Sequence, residues 1–109
     1  MVAVALTVAA ATTHGVALVT GGSMEPAILA GDVIVYRRGA LPGRGEAAVF
    51  EDERALVVHR TVRVDGRGGV VTKGDANPSE DVGVVDLGDM RGTVVAVLPF
   101  GRLFAQRVR

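Results

Sequence analysis

Short apolar runs broken by small or charged residues set the rhythm of this chain. Val33-Ile34-Val35, Val57-Val58, Val70-Val71 and Val94-Val95 recur between clusters of Gly, Pro, Asp and Asn. Side chains branched at Cβ are stiff at χ1 and favour strands, while Gly and Asn-Pro dipeptides mark turns. The pattern predicts strands at Val16–Val19, Asp32–Tyr36, Ala47–Phe50, Ala55–Val64, Gly69–Lys73, Gly83–Leu87 and Gly92–Leu98. Glu51-Asp52-Glu53-Arg54 is read as the turn of a hairpin. Gly39–Gly45 and Gly74–Asp81 are read as loops. The tail, Pro99–Arg109, mixes Phe and Leu with three Arg and predicts a short amphipathic helix.

The N-terminal stretch has a different character. Its first Asp, Glu, Lys or Arg is Glu25, and its first eleven residues are almost wholly apolar before Thr12, Thr13, His14 and Gly15 intervene. A spanning helix needs about 20 apolar residues, roughly twice this clean run. The expectation is a shortened membrane anchor over 1–15, ahead of a domain over 16–109. A buried or surface-lying apolar helix is the second reading. A cleaved signal peptide fits least, because no basic region precedes the apolar run.

Composition narrows the chemistry. At 109 residues the chain suits one domain with one core. Twelve basic and twelve acidic residues cancel, so no net field points to nucleic acid. Lys73 is the only lysine, which leaves few candidates for a catalytic amine. The absence of Cys excludes disulfides, thiol catalysis and thiolate metal sites, and two histidines make a poor zinc set. No metal or other cofactor is implied.

Ser23 follows Gly21-Gly22 at a strand end and precedes Met24-Glu25-Pro26. There the backbone can turn sharply and present both Oγ and nearby N–H groups, as a nucleophile beside an oxyanion hole requires. Taken alone, Gly-Gly-Ser is more often a plain turn. His59 lies inside a strand whose alternation puts Val57, His59 and Thr61 on one face and Val58 and Arg60 on the other. A lone histidine there is more often a core residue with a satisfied hydrogen bond. The loop that follows the next strand carries Asp75 and Asp81, either of which could fix the imidazole tautomer.

Ser23-Met24-Glu25-Pro26, then Gly31-Asp32 and a Val/Ile strand, then His59-Arg60, then Thr72-Lys73-Gly74-Asp75-Ala76-Asn77 with Asp81, resembles the signal peptidase I family. It is most similar to the Ser-His branch of archaea, the endoplasmic reticulum and some Gram-positive bacteria. The resemblance covers roughly Val16 to Pro99. It implies a mainly β fold, a compact barrel of curled antiparallel sheets. It implies a serine endopeptidase that removes signal peptides with small residues at positions −1 and −3 from exported preproteins. Ser23 would be the nucleophile and His59 the general base, where the typical bacterial branch has a lysine. Asp81 is the first choice as partner of His59, with Asp75 in support and pairing with Arg60. Gly21 and Gly22 would shape the oxyanion turn, Met24 and Pro26 the turn and the cleft floor, and Gly31, Asp32 and Gly74 the bracing around it. The expected location is the cell membrane, with the catalytic domain at the membrane surface on the extracytoplasmic side. A base of this kind loses activity as pH drops and the imidazole gains a proton.

Gly21 stands where many relatives have a Ser whose hydroxyl helps hold the oxyanion, which leaves backbone N–H groups, chiefly that of Ser23. One lost donor typically costs about 10²–10³ in rate. Ala76 stands where relatives commonly have Asn. Three rival readings stand beside this one. A self-cleaving repressor-type domain would need a Ser-Lys dyad, but Lys73 adjoins the Gly-Asp turn. A specialised maturation protease would differ only in clientele, and an inactive β-rich binding module would keep the scaffold alone.

Overall fold

Ile34 and Tyr36 are buried while Val33 and Val35 beside them are half-buried, the period of two that marks a strand laid on a core. In the computed structural model, which describes residues 13–107, this strand belongs to a six-stranded sheet. The strands are β1 (His14–Leu18), β2 (Val33–Arg38), β3 (Ala47–Asp52), β4 (Ala55–Val64), β5 (Val70–Lys73) and β6 (Met90–Leu98). A 3₁₀ turn over Leu87–Asp89 precedes β6, and a helix, α1 (Phe100–Arg107), follows it. The structure is mainly β. Residues 1–12, most of the 1–15 segment expected to anchor the chain, lie outside the described residues, while His14 and Gly15 belong to β1. No helix among the described residues is long and apolar enough to cross a membrane.

The strand order is β1-β2-β6-β3-β4-β5, and every neighbouring pair is antiparallel. Three register shifts bend the sheet, one each in the β2–β6, β3–β6 and β4–β5 pairs. The first has a packing consequence. Val35 faces Ala96 and Tyr36 faces Val94, so Val95 is the extra residue. Skipping it lets Val94 and Val97 both pack against the core although an odd number of positions separates them. β1 and β5 are the two ends of the order, yet the loops that follow them meet, with the Ala76 amide donating to Ser23 O at 2.9 Å. The sheet therefore curls until its edges are joined through loops.

The core joins the inner face of the sheet to the segment that follows β1. Val19, Met24 and Ile28 from that segment sit on Ile34, Tyr36, Ala47 and Val49. Its ends are closed by two hydrogen bonds, Gly31 N to Val19 O at 2.7 Å and Val19 N to Asp32 O at 2.8 Å. Residues 20–30 thus form a lobe pinned by its own apolar side chains.

Several boundaries differ from the pattern reading, each for a local reason. β1 starts at His14 because Gly15 lies against the Tyr36 ring, where a Cβ would overlap the ring atoms. β2 starts after Asp32, whose side chain is committed elsewhere. Glu51 and Asp52 belong to β3 and pair with Leu56 and Ala55, so the hairpin turn is Glu53-Arg54 alone. Both turn residues have positive φ, 46° and 70°, as a tight two-residue turn requires. Gly83–Leu87 is not a strand. Gly83 turns the chain at φ 86°, and only Val85 bridges to Val70 before the 3₁₀ turn begins.

Candidate active site

Ser23 sits on the rim of the 20–30 lobe. Met24 beside it is 1% exposed, so the core fixes the backbone from which the Ser23 side chain projects. A turn closed by Glu25 N to Gly22 O at 3.1 Å carries it, and Ile28 N to Met24 O at 3.0 Å continues the coil. The Glu25–Pro26 peptide is cis. From the other side the loop after β5 presses against Ser23. A Cβ on Gly74 would lie 2.7 Å from Ser23 O and 3.1 Å from Ser23 Cβ, so only glycine fits there without a shift.

His59 comes from the middle of β4, opposite Ala48 in β3 and edge-on to the Phe50 ring at 6.1 Å. Its Nε2 lies 3.0 Å from Ser23 Oγ and its Nδ1 lies 2.5 Å from Asp81 Oδ2. A carboxylate only accepts, so Nδ1 carries the proton and donates to Asp81. Nε2 is then the lone-pair nitrogen, and the Ser23 hydroxyl donates to it. The three residues are 36 and 22 positions apart in the chain and meet only through the curl of the sheet. His59 is 13% exposed and Asp81 26%, so the row is shielded yet open at one end.

The two acids of the loop go to opposite faces of β4. Asp81 is with His59, whereas Asp75 is with Arg60, which donates from Nε to Oδ1 at 3.1 Å and from Nη2 to Oδ2 at 2.5 Å. Arg60 also donates from Nη1 to Gly45 O at 3.1 Å. These hydrogen bonds hold the Asp75 carboxyl below its usual range, against a smaller opposing effect of burial. They raise the Arg60 guanidinium in turn. Neighbouring positions on a strand point to opposite faces, so His59 and Arg60 each take one acid.

Asp32 is buried and accepts from Leu29 N at 2.8 Å and from Gly101 N at 2.7 Å. It ties the lobe to α1. Gly31 before it turns at φ 93°. Gly21 has open space where a Cβ would be, and a Cβ on Gly22 would meet the Glu25 carboxyl at 3.4 Å. Met24 and Pro26 do not line the cleft: Met24 is buried in the core and Pro26 is exposed.

A cleft of about 640 Å³ opens in front of Ser23 and His59. Ala17, Leu18 and Val19 line one flank, Val82–Val85 another, and Phe50 and Val57 lie between. No group of three side chains able to hold a metal occurs among the described residues. One polar residue of the site stands in the sequence motif but is given no role there. Thr72 Oγ1 donates to Asp81 Oδ2 at 2.7 Å. The register that pairs Thr61 with Thr72 places Thr72 beside the strand that carries His59, a pairing the motif does not reveal.

No family model matches the chain. Among curated proteins, the signal peptidase complex catalytic subunit SEC11 of Fusarium vanettenii is 37% identical over 100 residues, covering 78% of this chain and 58% of that protein. The subunit of the same name from Pyrenophora tritici-repentis is 34% identical over 110 residues, covering 87% and 64%. That of Eremothecium gossypii is 33% identical over 99 residues, covering 77% and 59%. The chain spans about three fifths of the length of these curated relatives. On these similarities the chain belongs to the signal peptidase I family, in the branch that includes these catalytic subunits.

Proposed function

We propose that this protein is a serine endopeptidase that removes signal peptides from exported preproteins. The observation that carries the reading is the row Ser23 Oγ, His59 Nε2, His59 Nδ1, Asp81 Oδ2, at 3.0 and 2.5 Å. A hydroxyl is a weak nucleophile until a neutral imidazole accepts its proton, and the imidazole needs an acceptor on its other nitrogen to hold that tautomer.

Ser23 Oγ attacks the scissile carbonyl carbon as its proton passes to His59 Nε2. The carbonyl oxygen takes the displaced electron pair and becomes an oxyanion. The Ser23 amide, which has no acceptor among the described residues, is the donor closest in sequence to that charge. Collapse of the adduct breaks the C–N bond, and the leaving amine takes the proton from His59. Water then attacks the ester with His59 again as base, which frees Ser23 and the carboxylate of the cleaved peptide. Asp81 stays ionised and stabilises the imidazolium formed in each half. Asp75 supports the site from the opposite face of β4 through Arg60.

The apolar flanks of the cleft, Ala17–Val19 and Val82–Val85, suit an extended segment with small side chains at −1 and −3. The proposed location is a membrane surface on the extracytoplasmic side, with the apolar N-terminal segment as an anchor and the peptidase domain running from β1, which starts at His14. Cleavage of an Ala-x-Ala signal-peptide substrate tests the reading. Ser23→Ala and His59→Ala are each expected to abolish turnover while circular dichroism stays that of the folded wild type. Equal cleavage by Ser23→Ala would overturn it, and loss of folding in His59→Ala would make that residue a core histidine.

A further inference from the structure

We infer that Thr72 is the positioning residue of the Ser23–His59–Asp81 row, an inference that rests on the proposed peptidase reading. Asp81 lies within the loop between β5 and the 3₁₀ turn, and Thr72 holds it at two points. Its amide donates to Thr72 O at 2.8 Å, and its Oδ2 accepts from Thr72 Oγ1 at 2.7 Å. That same Oδ2 accepts from His59 Nδ1 at 2.5 Å. Among the described residues Asp81 Oδ1 has no donor, so Thr72 and His59 are the only side chains that set the carboxylate's rotation.

Thr72 is 1% exposed, and among the described residues its hydroxyl bonds only to Asp81. It must donate, because an ionised carboxylate has no hydrogen to give. The chain of constraint then runs from a buried strand residue to Asp81, from Asp81 to the His59 tautomer, and from His59 to the Ser23 proton. Removing the hydroxyl frees the carboxylate to turn about its last bond, and a displacement of about 1 Å at a reacting group can cost on the order of 10²-fold in rate.

Thr61 supplies an internal control. It pairs with Thr72 across β4 and β5, is equally buried at 1%, and its hydroxyl has no hydrogen-bond partner. It belongs to none of the machinery above. A buried threonine in this part of the sheet can therefore exist without any link to Asp81, and Thr61→Val removes the hydroxyl of Thr72's register partner without breaking a hydrogen bond.

The test uses the full chain and a fluorogenic Ala-x-Ala peptide, with kcat and KM measured separately. Thr72→Val is expected to lower kcat by about 10- to 100-fold and to leave KM within about twofold. Thr72→Ser should recover most of the loss, and Thr61→Val should cleave as the wild type does. In an Asp81→Asn background, Thr72→Val should add no further loss, because its effect passes through Asp81. The downfield proton resonance of His59 Nδ1–H should broaden or disappear in Thr72→Val and return in Thr72→Ser. Should Thr72→Val not fold, Thr72→Cys carries the same comparison with a weak donor in place of the hydroxyl. Wild-type kcat in Thr72→Val, or an equal fall in Thr61→Val, overturns the inference. If Ser23→Ala is inactive in the same assay, that result leaves the peptidase reading standing; if Ser23→Ala is fully active, both fall.

Discussion

Gly74 shows how one missing side chain sets the position of Ser23. A Cβ there would stand 2.7 Å from both Ser23 O and Asn77 Nδ2, and the first of these is backbone that cannot swing aside. Gly74→Ala is expected to push Ser23 away from His59 and to lower kcat by about 10- to 100-fold, with the fold retained. Peptide cleavage and the thermal midpoint, measured together, check this. Gly21 is the opposite case, with nothing within 4 Å of a built Cβ. Gly21→Ser therefore fits without strain. If its hydroxyl reaches the oxyanion, kcat is expected to rise by about tenfold or more, toward the typical worth of one such donor. Unchanged kcat would show that backbone donors alone carry the oxyanion. Residues of this kind were legible in the sequence as glycines, but their roles were not, because a role depends on which atoms approach from elsewhere in the chain.

β4 is the element on which the site is divided. Its alternation sends His59 to Asp81 on one face and Arg60 to Asp75 on the other. The sequence reading left both acids open as partners of His59 until resemblance ranked them, since a loop does not reveal which way each side chain turns. The Arg60–Asp75 pair has its own pH signature. Hydrogen bonds from Arg60 hold the Asp75 carboxyl below its usual 3.8. A carboxyl depressed in the folded state contributes stability above its unfolded pKa and loses it as pH falls through the folded one. Wild type is expected to exceed Asp75→Asn by about 1 kcal/mol near neutral pH, a modest value because Arg60 is partly exposed. The gap should hold down to about pH 5 and close below about pH 4. Urea denaturation across that range checks it, and a gap that widens in acid would contradict the assignment. Strand alternation also explains where pattern reading failed. Gly83–Leu87 has the apolar content of a strand, but Gly83 at φ 86° and a single bridge leave it a loop on the flank of the cleft.

Across the whole molecule, the Ser23–His59–Asp81 row depends on a lobe that the core and α1 hold in place. Asp32 accepts from Leu29 in the lobe and from Gly101 in α1, and it is 3% exposed. Asp32→Ala leaves two buried amides without an acceptor and is expected to cost about 2–4 kcal/mol, seen as a fall in the thermal midpoint. A loss under 1 kcal/mol would mean that neither bond holds the lobe. The sequence by itself determined the strand-rich class, most strand positions, the turn residues and the identity of Ser23, His59, Asp75 and Asp81 as candidates. Those features are local, written in β-branched runs, glycine spacing and residue chemistry. Only the tertiary structure decided that β6 inserts between β2 and β3, that Val95 bulges, that Met24 belongs to the core, and that Thr72 reaches Asp81. Each of these joins residues far apart in the chain, and the curl that brings them together is a property of the packed sheet rather than of any segment in it.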